Sequence, residues 1–434
     1  MTAMHNPGAP PPMTPESVAK TGMTLNQISE LVLRILYARG ELTAQEIVQE
    51  ICLPYEPIMR EAIERLLKEQ FVGRPGVRGL GELGFIYALT QSGLARAREL
   101  TEFNSYAGPA PVTLADYRAA VERQAVMRQP VDKERLREAL RHMVVSDELL
   151  EELGPAANNG RSIFLYGPPG NGKTLLAEAI GWVQNSGIYV PHAIQIEGHV
   201  VRMFDPLIHE ALPTSQNGNG GSPLPRVGEM DQRWVLCRPP RIIVGGELTL
   251  DMLELIYDAK SKTYEAPLQI KANNGTFIID DFGRQRVQPR DLLNRWTVPL
   301  EKRVDFLPLM RGKKVEFPFD VIIVFSTNLA PTDLVDEAFL RRIRHKIKVD
   351  DPTPRQFREI LERVCRSRKV EFTEAGYSYL ISEHYQKAGR PFRAVHPRDL
   401  VDQIIEIARY QSARPALEPG LIDRACRSYF VSLQ

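Results

Sequence analysis

The sequence predicts an α/β core in which a parallel sheet is flanked by helices, preceded by a small domain of helices and a hairpin and followed by a helical lid. Three observations carry this. Residues 163–166 are the apolar run Ile163-Phe164-Leu165-Tyr166, residues 167–174 are a glycine-rich turn, and Leu175-Leu176-Ala177 begins a helical run, so strand, loop and helix follow one another. Two later apolar runs, Thr276-Phe277-Ile278-Ile279 and Val321-Ile322-Ile323-Val324-Phe325, end in polar residues, as strands buried on both faces do. Helical spacing dominates residues 352–434. The expected units are a disordered tail (1–23), a small domain (24–100), a linker (101–130), the α/β core (131–350) and the lid (351–434).

Bulk properties narrow the function classes. A chain of 434 residues is long enough for two or three cores. The 55 Lys and Arg nearly cancel the 54 Asp and Glu, so no global field draws the chain to nucleic acid or anionic lipid. Cys52, Cys237, Cys365 and Cys426 lie far apart, which excludes a zinc knuckle and a disulfide scaffold. The Pro-rich start lacks a cationic segment followed by an apolar one, and no run approaches the ~18 apolar residues of a membrane span. A cytoplasmic protein without membrane insertion is expected.

The small domain is read from its periodicity. Ile28, Leu31, Val32, Ile35 and Leu36 mark a first helix that Gly40 can end, and Thr43 with Glu46 forms a capping box opening a second. Ile58, Met59, Ile63, Leu66 and Leu67 mark a third, before a glycine-punctuated hairpin ending in Phe85-Ile86-Tyr87-Ala88-Leu89. Three helices and a hairpin is the winged-helix order. Residues 21–100 hold nine basic and ten acidic side chains, so protein docking is favoured over phosphate neutralisation on DNA. Gly108-Pro109-Ala110-Pro111 marks the linker, and a helical stretch at 133–153 enters the core. Beyond the loop, a hairpin at 193–204 is expected to turn at Glu197-Gly198, and 216–222 to form a flexible loop. Trp234, Cys237 and Arg238 are read as packing residues. A second hairpin flanks Arg311-Gly312-Lys313 just before the run at 321–325.

The chemistry sits at the strand ends. Gly167, Pro168, Pro169, Gly170, Asn171, Gly172, Lys173 and Thr174 form a phosphate cradle, with Leu175 in the first turn of the helix behind it. The glycines let backbone N–H groups turn inward, Lys173 supplies a cation, and Thr174 offers a hydroxyl to Mg2+. Asp280 and Asp281 end the strand at 276–279, the first suited to hold Mg2+ and the second to orient or deprotonate water. Asn328 ends the strand at 321–325 as a polar amide; taken alone it is a turn former.

Together with Phe339-Leu340-Arg341-Arg342-Ile343 and His396-Pro397-Arg398-Asp399-Leu400, these motifs resemble the AAA+ ATPases over residues 131–434. The hairpin before the Asn328 strand is similar to the pre-sensor-1-hairpin group that includes the MoxR and magnesium-chelatase ATPases. The arrangement also looks like bacterial chaperone-like ATPases linked to Flp pilus assembly. The resemblance implies ATP and Mg2+ as ligands, Asn328 as sensor 1, Arg342 as an arginine finger with Arg341 its rival, and Arg398 as sensor 2. It places Val144 and Val145 in the adenine pocket. The chain departs from the usual family pattern at Asp281, where Glu is commoner, and it shows no aromatic-Val-Gly pore loop. The resulting expectation is a ring oligomer, a hexamer, that hydrolyses ATP between subunits to remodel an unidentified protein client. The alternatives are a DNA-binding regulator or loader that uses ATP as an assembly switch, and a nucleotide-bound scaffold that barely hydrolyses.

Overall fold

A computed structural model describes residues 8–79, 81–184, 186–213, 224–310, 312–334 and 337–430. The loop expected at 216–222 and Arg311 of the second hairpin lie outside the described residues. Five parallel strands form the central sheet, in the spatial order Arg241–Val244, Thr276–Ile279, Ile322–Thr327, Ser162–Tyr166, His345–Lys348. Their side chains alternate between two cores. Ile163, Leu165, Ile278, Ile322 and Val324 face the helices Asp147–Asn159 and Lys173–Val183. Phe164, Phe277, Ile279, Ile323 and Phe325 face Phe282 and Trp296 on the other side. Such double burial explains the uninterrupted apolar runs and leaves only the strand ends polar. The Asn328 strand lies between the loop strand and the acid strand, so three polar ends meet side by side.

A second five-stranded sheet was not foreseen. Its order is Ile256–Asp258, Thr263–Glu265, His199–Arg202, Ala193–Ile196, Val112–Thr113. The hairpin within it turns at Glu197 and Gly198, both left-handed (φ 50° and 85°), as a two-residue turn requires. The hairpin Val304–Pro308 with Lys314–Pro318 packs Leu307, Val315 and Phe317 into the same core. The expected linker is corrected here. Val112–Thr113 is a strand of this sheet, and helix Leu114–Val126 buries Tyr117, Ala120 and Val121 against it. Gly108-Pro109 signalled a break, but the following residues had an apolar face to bury.

Helix Leu114–Val126 also joins the two sheets. Gln124 Nε2 donates to Asn274 Oδ1 (2.9 Å), and Asn274 Nδ2 donates to Asp320 Oδ2 (2.8 Å) and Val121 O (3.0 Å). Asp320 also accepts from Arg128 (2.6 Å) and pairs with Arg303. Asn273 Nδ2 donates to Tyr117 Oη (2.8 Å). The joint therefore lies just ahead of the acid strand and the Asn328 strand, away from their polar ends. Buried polar groups are tolerated there because nearly every one is paired.

The N-terminal unit contains helices Leu25–Arg39, Ala44–Ile51 and Arg60–Lys68, a three-stranded antiparallel sheet, and helix Gln91–Phe103. Thr43 and Glu46 make the reciprocal capping box. The expected disorder of the first 23 residues is corrected for 8–23. Thr14 N donates to Glu229 O (2.9 Å), Asp231 N to Pro12 O (2.8 Å), and Arg233 Nη1 to Thr21 O (2.9 Å). Buried Arg233 and Asp231 form a salt bridge (2.8 Å) that composition alone does not reveal. The lid comprises five helical segments between 354 and 429 around Phe357, Leu361, Leu400 and Ile404. No helix among the described residues is long and apolar enough to cross a membrane.

Candidate nucleotide site

Three strand ends converge on Lys173. Gly167, at φ 135°, turns the chain out of the loop strand; a side chain there would meet Val349 O at 2.4 Å. Gly172, at φ 81°, caps the helix that begins with Lys173. Only glycine takes such angles without strain. Lys173 is buried, and its Nζ donates to Gly167 O (2.9 Å), Pro168 O (2.8 Å) and Asn328 Oδ1 (2.7 Å). Burial pulls its pKa below the usual lysine value, while Asp280 and Asp281 oppose that shift. The Leu175 side chain is 45% exposed.

Thr174 Oγ1 donates to Asp280 Oδ1 (3.0 Å) and Oδ2 (2.9 Å), bringing the hydroxyl and carboxylate expected at Mg2+ together. These oxygen donors fit a small hard cation that fills its remaining positions with phosphate and water. Among the described residues no group of three or more His, Cys, Asp or Glu forms a fuller cage. Asp281 is exposed, has φ 48°, and accepts from Asn328 Nδ2 at 3.4 Å. Its left-handed backbone is a strain of the kind found at functional sites. Gln285, unnoticed in the sequence, braces this turn by donating to Asp280 O (2.9 Å) and Asp281 O (3.1 Å). Phe282 N donates to Ser326 O (2.7 Å) and Thr327 Oγ1 to Phe282 O (2.7 Å), fixing the acid turn to the Asn328 strand.

Beside the loop lies a cleft of about 720 Å³ between core and lid. Met143, Val144, Val145 and Asn171 line one side, and Gln356 and Ile360 of the lid line another. The helix expected over 133–153 is in fact two, Lys133–Ala139 and Asp147–Asn159, and the break between them carries both valines to the cleft. The wall is more polar than apolar, with Asp147, Glu152 and Glu359 on it, and Val144, Val145 and Ile360 supply the apolar strip against which a base could lie.

The remaining arginines sit differently. Arg342 Nε donates to Glu301 (2.5 Å), while Arg341 is exposed. Arg398 pairs with Asp399 (3.0 Å), its side chain 59% exposed, and the structure does not bring it to Lys173. Sequence reasoning missed Arg393, whose guanidinium pairs with Asp351, and Asn171 Nδ2 reaches the same Asp351 carboxylate (2.7 Å).

Residues 353–428 match a family model described as a domain of unknown function (DUF8689). No curated protein sequence matches the chain. Among solved structures, NtrX from Brucella abortus in complex with ATP is similar at 15% identity, over 65% of this chain and 55% of that chain, with a TM-score of 0.39. RuvB from Thermotoga maritima, described as a Holliday junction branch migration motor, is similar at 14% identity, over 69% of this chain and 70% of that chain, with a TM-score of 0.35. The chain thus spans about half the length of the NtrX structure it matches.

Proposed function

We propose that this chain is an Mg2+-dependent ATPase of the AAA+ class that uses hydrolysis to remodel a protein partner. One observation carries the reading: Thr174 on Asp280, Lys173 on Asn328, and Asn328 on Asp281 gather the parts of phosphoryl transfer at three adjacent strand ends. The loop N–H groups and Lys173 hold the β- and γ-phosphates. Thr174 and Asp280 would hold Mg2+, which would supply positive charge to offset that of the phosphates. Asp281 takes the proton of the attacking water, and Asn328 orients that water against the γ-phosphate. Asp is one methylene shorter than Glu, so slow turnover is expected.

The N-terminal unit supports protein docking. On helix Arg60–Lys68, Arg60 is paired with Glu56 (2.7 Å) and Glu64 (3.0 Å), and Arg65 with Glu69 (2.9 Å). In the adjoining hairpin, Arg74 lies over Phe85 at 4.8 Å. Arg60 and Arg65, already paired with carboxylates, have less charge left for a phosphate backbone. The winged-helix reading is retained with a protein partner.

The test is phosphate release from ATP by the full chain with and without Mg2+. Hydrolysis that stops on chelation and in Lys173→Ala supports the proposal. A folded chain that neither binds nor hydrolyses ATP rejects it.

A further inference from the structure

We propose that Gln356 reads the nucleotide base, donating a hydrogen bond from its amide nitrogen to a ring nitrogen of adenine. This rests on the nucleotide-binding reading above.

The first lid helix, Pro354–Arg368, is capped by Thr353. Gln356 N donates to Thr353 Oγ1 (3.3 Å), and Gln356 Oε1 accepts from Thr353 N (2.9 Å) and Thr353 Oγ1 (3.0 Å). A backbone N–H can be met only by the oxygen of an amide, so the cap fixes which end of this side chain is which. The oxygen is used by the cap. Nε2, which can only donate, has no partner among the described residues. The cap itself does not require an amide, since Thr43 and Glu46 close the same box with a carboxylate. What Gln356 adds is a pair of N–H donors held in a known orientation.

Those donors belong to the face of the helix that borders the cleft. Gln356, Glu359 and Ile360 all line it, at the i, i+3 and i+4 spacing that puts side chains on one side of a helix. Arg363, three residues further, donates to Arg141 O and Met143 O (3.2 Å each). It ties this face of the lid to the turn that leads into Val144 and Val145. Arg363 Nη2 also donates to Glu359 Oε1 (2.6 Å), so that carboxylate is already engaged. Of the three cleft-lining side chains on this stripe, Gln356 is the one that carries an unused donor. It is half-buried, between the apolar strip and the backbone of its own cap.

The chemistry follows from the fixed amide. The adenine ring presents lone pairs at N1, N3 and N7 and carries no N–H at these atoms, so a side chain that can only donate is complementary to it. A carboxylate in the same place would set lone pair against lone pair. A neutral hydrogen bond of this kind is worth about two- to tenfold in affinity.

The experiment measures calorimetric binding of ADP and of its 1-deaza, 3-deaza and 7-deaza analogues, with Mg2+, to the full chain and to Gln356→Glu and Gln356→Met. Each analogue replaces one ring nitrogen by C–H. Gln356→Glu keeps the cap, and with it the melting temperature, but removes the donor; Gln356→Met removes both hydrogen-bonding ends. The wild-type chain is expected to bind one of the three analogues about fivefold more weakly than ADP. Both variants are expected to weaken ADP by about that factor, Gln356→Glu the more, and to bind the affected analogue at least as well as ADP. That loss of discrimination separates base reading from a structural cap, which would leave Gln356→Glu unchanged. Wild-type binding of all three analogues as tight as that of ADP, a penalty that persists in both variants, or Gln356→Glu binding ADP like the wild type overturns the proposal. Equal binding of ADP and its analogues removes Gln356 alone and leaves the nucleotide reading standing. A folded wild-type chain that binds no ADP rejects that reading first and this inference with it.

Discussion

At the residue scale, the proposed reaction would divide holding ATP and splitting it between different side chains. Lys173 is buried against the loop carbonyls and Asn328, so its loss removes the cation on which the phosphates depend. Asp281 is exposed, and its carboxylate accepts only a long bond, 3.4 Å, from the Asn328 amide. Lys173→Ala is therefore expected to abolish nucleotide binding. Asp281→Asn is expected to retain it while kcat falls roughly 10²–10⁴-fold, the usual worth of a general base. Fluorescent-nucleotide titration alongside phosphate release separates the two, and an Asp281→Asn protein that turns over normally would remove that residue from the mechanism. The cradle was legible because its chemistry is local: eight consecutive residues carry it. The contacts of Asn171 with Asp351 and Ala394 were not, since these partners lie 180 and 223 residues away and nothing in the sequence marks them. Arg393 and Arg398 look alike in sequence, and only folding separates the one on the loop from the one on the surface.

At the element scale, apolar runs were readable and buried polar contacts were not. The strand at 321–325 declares itself because both faces are covered, whereas helix Leu114–Val126 follows Gly and Pro and carries Asp116, Glu122 and Arg123 on its exposed face. Its inward Tyr117 and Gln124 bond to Asn273 and Asn274, a pairing visible only across the fold. Two histidines flank the hairpin of the inserted sheet, His192 partly enclosed and His209 buried. Burial lowers the His192 pKa to about 4 and pulls that of His209 down as well. Between these folded values and the ordinary value of 6.5, the unfolded chain binds protons that the folded chain refuses. Stability contributed by the neutral rings is thus present above pH 6.5 and lost as pH falls toward 4. For His192, which is only partly enclosed, the slope stays below about 1.4 kcal/mol per pH unit. Thermal melting is expected to fall steadily from pH 7 to pH 5, and His192→Phe should flatten that decline. An unchanged slope in this variant would show that His192 does not titrate as its burial implies.

At the scale of the whole molecule, the decisive question is whether one chain completes a site. The loop, acid pair and Asn328 are gathered within a single chain, but the segment carrying Arg341 and Arg342 begins after Leu340 and does not join them. Arg341 is exposed and Arg342 is engaged by Glu301. If either arginine serves a neighbouring chain, a subunit can lack its loop and still give an arginine, or lack its arginines and still hold ATP. Lys173→Ala and the Arg341→Ala/Arg342→Ala double variant should each be nearly inactive alone. Mixed in equal amounts, they place an intact loop beside an intact arginine at about a quarter of the interfaces of a randomly assembled closed ring. The mixture should then recover up to about that fraction of wild-type turnover, rising with protein concentration as rings form. Measured phosphate release that stays at the sum of the two inactive proteins at every concentration would mean that the arginines act, if at all, within their own chain, and would remove the ring from the mechanism.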